Sequence, residues 1–273
     1  MNQYIVDIVL GFVQGVTELL PVSSSGHLIL FSKVMDTDSS LFYVVLLHGA
    51  TLLAIMIGYR KLLLELLTQP KHWVAVAIRL VIVTIPVGIL GVVASDLFNH
   101  FDSAPIFIGA NLLFWGVVMI IAEYFADKKA VVDEVDKELD IVSITKIPLW
   151  KTVLIGIGQA LSLLPGTSRS GITTLTGMST GLTKQNSLDF AFFAGIPAIG
   201  GAFAYKMYDY FSSADVSGKS ETLELSHLLG AFTALLFGYI FLEVLRKFKK
   251  QKFFTFFGIY RIILGIIVIA VFA

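Results

Sequence analysis

Cysteine is absent from the 273 residues, which excludes disulfides, thiolate catalysis and cysteine-based metal sites. Charge is also scarce, because only 15% of the residues are charged and the net charge is zero. A neutral chain has no bulk field that favours nucleic acid, so we expect no nucleic-acid partner. The first ten residues lack Lys and Arg, which does not match a cleavable signal peptide.

Apolar residues are what the chain has in abundance. They make up 56% of the sequence, and the mean hydropathy is +0.83. A soluble protein of this length could not hide so much apolar surface. The composition therefore predicts an all-α polytopic integral membrane protein, with residues 1–273 in one membrane domain. Its eight apolar segments are about 4–30, 41–59, 74–95, 105–125, 149–175, 187–210, 225–246 and 253–273.

Two of these segments resemble each other. "GFVQGVTELLPVSSSG" (11–26) and "GIGQALSLLPGTSRSG" (156–171) align without a gap, 145 residues apart, and share Gly, Gln, Leu, Ser, Ser and Gly. The segments that follow each of them have similar lengths and order. This pattern predicts an internal duplication, with repeats at about 1–125 and 149–273 joined by a polar linker at 126–148.

The two similar segments also share a break. Each is apolar, then has a proline and a run of small polar residues, and is then apolar again. Such a run interrupts a helix, and irregular backbone at membrane depth is tolerated only inside protein or beside a wet cavity. We therefore expect two re-entrant helical hairpins and six transmembrane helices. Three crossings per repeat is an odd number, so the second repeat is predicted to be inverted relative to the first.

The distribution of basic residues predicts the orientation. The connections 60–74 and 246–252 carry three and five basic residues, and the linker 126–148 carries four lysines. This topology places all three on one face, which is cytoplasmic by the positive-inside rule. The opposite face receives both termini and 96–104, which have no Lys or Arg, together with a few isolated lysines. Both termini are therefore expected outside the cytoplasm.

A carboxylate lies within the first hairpin. Gln14 and Glu18 are four residues apart and share a helix face. A carboxylate inside a bilayer costs about a few kcal/mol unless it is paired or wet. One interpretation is that Glu18 holds a divalent cation or transfers protons, with Gln14 as a neutral partner. The alternative is that Glu18 only pairs with a buried arginine.

The polar runs after each proline are candidate anion sites. "PVSSSGH" (21–27) and "PGTSRSGITT" (165–174) supply hydroxyls and free backbone N–H groups where a half-helix begins. Arg169 adds a donor suited to phosphate oxygens. Together they predict a phosphate or pyrophosphate site, although the serines could also act as helix caps. The candidate binding residues are Gln14, Ser23, Ser25, Gly26, Gly166, Thr167, Ser168, Ser170 and Thr173.

Two histidines and one arginine need separate interpretation. His27 follows Ser24 by three residues, which suggests a nucleophile with a general base or acid, although a lone histidine is usually structural. His48 is an intramembrane polar residue that could lie behind the site. Arg261 is more consistent with structural pairing than with a place in the cavity.

These motifs resemble the undecaprenyl-diphosphate phosphatase family of the bacitracin-resistance type. That family has an (E/Q)xxxE pattern followed by PVSSxGH, and a second pattern PGxSRSxxT. Here they stand as "QGVTE" (14–18), "PVSSSGH" (21–27) and "PGTSRSGIT" (165–173). The resemblance covers essentially the whole chain, including the spacing of the eight segments.

The resemblance implies removal of the terminal phosphate from undecaprenyl diphosphate, which recycles the lipid carrier for peptidoglycan and other envelope polymers. It implies a multi-pass protein of the bacterial inner membrane, with the active site open to the periplasmic side. Carried over by position, Glu18, Ser24, His27 and Arg169 are the catalytic candidates. Glu18 and Gln14 would hold a divalent cation, Mg²⁺ or Ca²⁺. Gln14 stands where many members have Glu, so the acid–base role falls to Glu18.

Membrane lipids are expected around the protein, and a homodimer is left open. The competing hypothesis is a lipid-phosphate transporter or flippase, since inverted repeats with broken helices at the midplane are a transporter pattern. A pure transporter would bind the lipid without releasing phosphate. Whether serine, histidine or water attacks the phosphate stays undetermined by the sequence.

Overall fold

The computed structural model describes residues 2–37, 40–94, 101, 104–129, 139–217, 223–247 and 252–273. All the regular structure in these ranges is helical. Short 3₁₀ turns lie at Pro70–His72 and Leu161–Leu163. The α-helices are α1 (Gln3–Leu19), α2 (Ser24–Val34), α3 (Leu41–Gly58), α4 (Arg60–Thr68), α5 (Trp73–Val93), α6 (Pro105–Lys129), α7 (Ile141–Lys146), α8 (Leu149–Ala160), α9 (Arg169–Ser179), α10 (Lys184–Ser217), α11 (Leu225–Lys247) and α12 (Phe253–Phe272).

The long apolar helices confirm a polytopic membrane protein. Within the described ranges, five helices are long and apolar enough to span a membrane: Pro70–Val93, Pro105–Phe125, Lys184–Ser212, Leu225–Lys247 and Phe253–Phe272. A sixth candidate consists of α3 together with α4, which bends away from it by 65°. That bend was not expected from the sequence; in α4 it leaves Leu62 buried against the bundle.

Both polar runs break their helices as predicted. α1 ends at Leu19 and α2 begins at Ser24, while α8 ends at Ala160 and α9 begins at Arg169. The residues before α2 and α9 have nearly the same left-handed backbone, with φ 69° and ψ 103° at Ser23 and φ 72° and ψ 106° at Ser168. A positive φ is uncommon for a residue with a side chain. Each hairpin therefore consists of one helix before the break and one helix after it.

Glycines let the helices approach closely across the bundle. A Cβ on Gly116 would lie 2.8 Å from the carbonyl oxygen of Gly258, and one on Gly265 would lie 2.7 Å from that of Gly109. A Cβ on Gly15 of α1 would lie 2.6 Å from a carbonyl oxygen of α11. Small residues at helix interfaces are typical of membrane bundles, because van der Waals packing replaces the hydrophobic drive.

The main contacts join elements from different halves of the chain. α6 packs along α12, α1 along α11, α8 along α5, and α3 along α10. The two hairpins are therefore each held by a spanning helix of the opposite half. This crossed packing brings the two hairpin tips together in the centre of the bundle.

The linker predicted at 126–148 is only partly described, and its final third is structured. Asp140 caps α7 by accepting a hydrogen bond from the backbone N–H of Ser143 at 2.6 Å, which lowers the pKa of the Asp140 carboxyl. Ile141 and Ile144 are fully buried in the main apolar core, and Ile147 is nearly so. Their spacing of three residues places them on one face of a short helix. The second half of the chain therefore begins with a docked segment.

Candidate active site

The two hairpin tips enclose a polar cavity of about 190 Å³. Residues of the first tip, of the second tip and of α3 all reach it. Hydroxyls, one carboxylate, one guanidinium and one imidazole meet in this small space. The lining residues are Thr17, Glu18, Ser23, Ser24, Ser25, His48, Ser162, Leu163, Leu164, Pro165, Gly166, Ser168 and Arg169.

Glu18 is at the centre of the cavity's hydrogen bonds. Its Oε2 accepts from Ser24 Oγ at 2.8 Å and from Gln14 Nε2 at 3.3 Å. Its Oε1 lies 3.3 Å from Nη2 of Arg169, and Nε2 of His48 lies 3.8 Å from Oε2. The carboxylate is therefore placed to take a proton from the Ser24 hydroxyl, while Arg169 balances its charge.

Arg169 is the first residue of the second half-helix, α9. Its Nη1 donates to the carbonyl oxygen of Ala191 at 3.2 Å, and its Nη2 donates to Glu18. Its Nε is buried and has no hydrogen-bond partner among the described residues. The guanidinium thus keeps donor capacity at the N-terminus of a helix, where an anion is also favoured by the helix dipole.

Hydrogen bonds from two polar side chains of α6 and α12 hold the hairpin tips in place. Arg261 of α12 is completely buried and donates to three carbonyl oxygens, those of Pro21, Gly166 and Thr167, at 2.5–3.1 Å. Asn111 of α6 donates to Pro165 O and Thr167 Oγ1, both at 2.8 Å. Arg261 therefore has the structural role that the sequence favoured, with carbonyl oxygens as its partners.

Replacing Arg261 with Met is expected to destabilise the protein strongly. Three buried carbonyl oxygens would lose a charged donor, and each unsatisfied acceptor costs about 1–3 kcal/mol. A total of about 3–5 kcal/mol would lower the apparent melting temperature in detergent by roughly 10 °C. Tyr260→Phe, next along the same helix, removes a single hydroxyl and serves as the milder control. An unchanged melting temperature for the Arg261 variant would contradict the structural role.

His27 is held between the first hairpin and α12. Its Nδ1 lies 2.8 Å from the carbonyl oxygen of Ser23 and its Nε2 lies 2.6 Å from the hydroxyl of Tyr260. The two rings are nearly parallel. His27 is not part of the described cavity lining. Its catalytic role stays a prediction, and this geometry favours a positioning role in which it fixes the strained Ser23 turn.

The structure separates the other candidate residues into two groups. Those at the cavity are Glu18, Ser23, Ser24, Ser25, Gly166, Ser168 and Arg169. Those behind it are buried in the hairpins and help to shape the tips; for example, Ser170 donates to the carbonyl oxygen of Leu20 at 3.2 Å. The second group consists of Gln14, Gly26, His27, Thr167, Ser170 and Thr173.

Two residues gain importance only from the structure. His48 lines the cavity beside Glu18, although the sequence only suggested that it could lie behind the site. Asn111 was not singled out, yet it holds the second hairpin tip. A polar residue in the apolar run "IGANLLFWG" is the signal that could have revealed it.

The donor set fits a hard divalent cation. Gln14 is completely buried, and its Oε1 has no hydrogen-bond partner among the described residues. With the Glu18 carboxylate and the Ser24 hydroxyl it offers only oxygen ligands, which Mg²⁺ and Ca²⁺ prefer. The described residues contain no group of three or more His, Asp or Glu side chains that could hold a metal ion. A cation here would complete its coordination with water or with oxygens of the substrate.

Comparison with known proteins finds relatives that match nearly the whole chain. The family model described as bacitracin resistance protein BacA matches residues 7–267. An undecaprenyl-diphosphatase of Persephonella marina is 34% identical, with 95% of each chain covered. The undecaprenyl-diphosphatase of Methanococcus vannielii is 32% identical over 96% of this chain and 98% of its own, and undecaprenyl-diphosphatase 1 of Shouchella clausii is 34% identical over 96% and 94%. The family predicted from the two motifs is confirmed, and this chain belongs to the family of the bacitracin resistance protein BacA.

Proposed function

We propose that this protein hydrolyses undecaprenyl diphosphate to undecaprenyl phosphate and inorganic phosphate. The observation that carries the proposal is the contact of Ser24 Oγ with the Glu18 carboxylate beside the Arg169 guanidinium, in a cavity between two hairpin tips. The names of the full-length relatives support the same activity. A membrane-embedded polar cavity suits a substrate with a charged head and a long apolar tail.

Ser24 is the proposed nucleophile. Its Oγ attacks the terminal phosphorus while its proton passes to Glu18 Oε2, 2.8 Å away. The bond from phosphorus to the bridging oxygen breaks, and undecaprenyl phosphate leaves with that oxygen. The leaving undecaprenyl phosphate takes the proton from Glu18, which becomes a carboxylate again. Water then gives a proton to this carboxylate as its oxygen attacks the phosphorus of the phosphoserine, Glu18 passes that proton to Ser24 Oγ as the P–Oγ bond breaks, and inorganic phosphate is released. Each half-reaction forms and breaks one P–O bond, and Ser24 returns to its hydroxyl form.

Arg169 and the two half-helix starts supply the positive potential that this transfer needs. Phosphoryl transfer spreads negative charge over the equatorial oxygens, so catalysis depends on positioned donors. Arg169 begins α9, and Ser24 begins α2, so the N-terminal ends of both helices are directed to the same cavity. Ser25 accepts a hydrogen bond from Gly166 N at 3.3 Å and so keeps the two tips in register.

Gln14 and Glu18 are the proposed protein ligands of a divalent cation, Mg²⁺ or Ca²⁺. Such a cation would neutralise diphosphate charge when bound. Two observations support this assignment: Gln14 Oε1 has no hydrogen-bond partner among the described residues, and the Gln14 amide, unlike that of Gln159, contacts the Glu18 carboxylate at 3.3 Å.

Changing Gln14 to Glu should strengthen cation binding. A second carboxylate near Glu18 would lower the Mg²⁺ concentration for half-maximal phosphate release by about tenfold, a gain of about 1.4 kcal/mol. The same change places two buried like charges together, so it should lower the melting temperature in EDTA. Gln159→Glu, at the matching position of the second hairpin, is the control, because Gln159 Nε2 instead donates to Val83 O. An unchanged Mg²⁺ dependence in Gln14→Glu would rule out Gln14 as a ligand.

The proposed architecture is an inverted repeat of two hairpins and six spans. If the repeats 1–125 and 149–273 exchange places, the contact of α1 with α11 corresponds to the contact of α8 with α5. The close approach of Gly109 to Gly265 likewise corresponds to that of Gly258 to Gly116. The matching φ and ψ of Ser23 and Ser168 support the same relation. With basic connections cytoplasmic, both termini and the cavity opening face the periplasmic or extracellular side of the cell membrane.

The test is phosphate release by the purified protein in detergent, with Mg²⁺ and with EDTA. Metal-dependent release from undecaprenyl diphosphate supports the phosphatase. Binding of the lipid without release would overturn it and leave the transporter hypothesis.

A further inference from the structure

We infer that the groove between α5 and α10 holds the first part of the substrate's polyprenyl tail; this inference rests on the proposed function. The groove is a second cavity, of about 420 Å³, on the lipid-facing side of the bundle. Its lining is almost wholly apolar: Leu80, Val81, Thr84, Ile85, Gly88, Ile89 and Pro197.

One side chain lies between the groove and the active-site cavity. Leu163 lines that cavity, and its Cδ2 would lie 3.8 Å from a Cβ placed on Gly91. Gly91 and Gly88 are three residues apart and so lie on one face of α5. Gly88 in turn lines the groove. The groove therefore begins within one helical turn of the point where α5 contacts a residue of the cavity lining.

Missing side chains keep the groove open. Within the described part of the chain, a Cβ on Gly88 or on Gly201 would meet no atom within 4 Å. Prolines lie inside both helices, Pro86 in α5 and Pro197 in α10, and an internal proline bends a helix. At Gly88, which lines the groove, the absent side chain leaves space that neighbouring side chains do not fill.

The matching interface in the other half is closely packed along its apolar part. There α3 packs on α11, where a Cβ on Gly238 would lie 3.1 Å from Ala54 Cβ, and Leu242 lies against Gly58. The apolar window of Pro70–Val93 is 11% buried, whereas that of Leu225–Lys247 is 28% buried. The apolar groove is therefore a feature of the α5/α10 side, and this is the side that contacts Leu163 of the catalytic cavity.

The dimensions suit one end of a long isoprenoid. From Leu80 to Ile89 the groove follows α5 for about 14 Å, close to half of the roughly 30 Å hydrocarbon core. Moving a tail from lipid into an apolar groove yields little transfer free energy, because both surroundings are apolar. The groove instead orients the substrate, because a tail held there places the diphosphate head near Ser24. A short tail does not reach the groove, so the groove distinguishes long tails from short ones.

The test is to block the groove and compare substrates of different tail length. Because the chain has no cysteine, Gly88→Cys can be labelled at one position with a bulky maleimide after folding. We expect labelling to lower kcat/KM for undecaprenyl diphosphate by about tenfold and to leave that for isopentenyl diphosphate within twofold. Gly88→Phe should give the same split. Ile266→Cys, on the exposed face of α12, is the labelled control that should change neither.

The outcomes distinguish a failure of the groove assignment from a failure of the proposed phosphatase activity. Equal loss for both substrates would show that the label disturbs the catalytic cavity, and would overturn the groove. No loss for either would show that ordinary lipids fill the groove, and would also overturn it. If unlabelled wild-type protein releases phosphate from neither substrate, the proposed function fails, and the groove assignment fails with it.

Discussion

Ser24→Ala is expected to lower phosphate release from undecaprenyl diphosphate by about 10³-fold or more. The alanine removes the only hydroxyl that the structure places in hydrogen-bond contact with Glu18 within the described residues. Loss of a nucleophile removes the covalent route and leaves only slow attack by water. The measurement is kcat/KM from released phosphate, with substrate in detergent micelles.

Ser162→Ala is the matched control for Ser24. Ser162 also lines the cavity, but its hydroxyl donates to the carbonyl oxygen of Gln159 at 2.6 Å. Its loss should change kcat/KM by less than about threefold, an effect below about 0.7 kcal/mol. Acid-quenched wild-type enzyme should also carry phosphate on Ser24 by mass spectrometry. If the kcat/KM of Ser24→Ala stays within tenfold of the wild-type value, the attack is assigned to water instead.

Glu18→Gln is expected to lower kcat/KM by about 10²–10⁴-fold, the usual range for a lost general base. The amide has the same shape but does not take the Ser24 proton, and it no longer balances Arg169 across 3.3 Å. Phosphate release and the Mg²⁺ dependence should be measured together. Since Glu18 is also a proposed metal ligand, the variant should need more Mg²⁺ for its residual activity.

A double variant tests whether the two residues act as one unit. If Glu18 acts by activating Ser24, the double variant Ser24→Ala with Glu18→Gln should be no slower than the slower single variant. Fully multiplicative losses would contradict a shared step. Glu243→Gln is the control carboxylate, because Glu243 pairs with Arg246 at 3.6 Å near the end of α11 and lies away from the catalytic cavity.

Local signals in the sequence account for the hairpins. A proline and consecutive small polar residues interrupt a helix within a few residues of themselves, so Pro21 and Pro165 marked both breaks correctly. Hydropathy depends only on runs of neighbouring residues, and it predicted the membrane class. The pairing of Glu18 with Arg169 was also among the alternatives that the sequence offered, because isolated charges in a bilayer need partners.

The tertiary structure decided which polar residues meet. The sequence favoured His27 over His48 as a catalytic residue, but chain folding brings His48 to the cavity and ties His27 to Tyr260, 233 residues away. Arg261 reaches Pro21 across 240 residues. Such contacts depend on how separate helices pack, and no local pattern encodes them.

The sequence by itself determined the membrane class, the two broken hairpins and the family, because each depends on neighbouring residues or on motifs. Only the tertiary structure decided which residues line the cavity, the docking of α7 and the apolar groove beside α5 and α10. These features arise where side chains from distant segments meet or fail to meet, and that depends on the packing of the whole bundle.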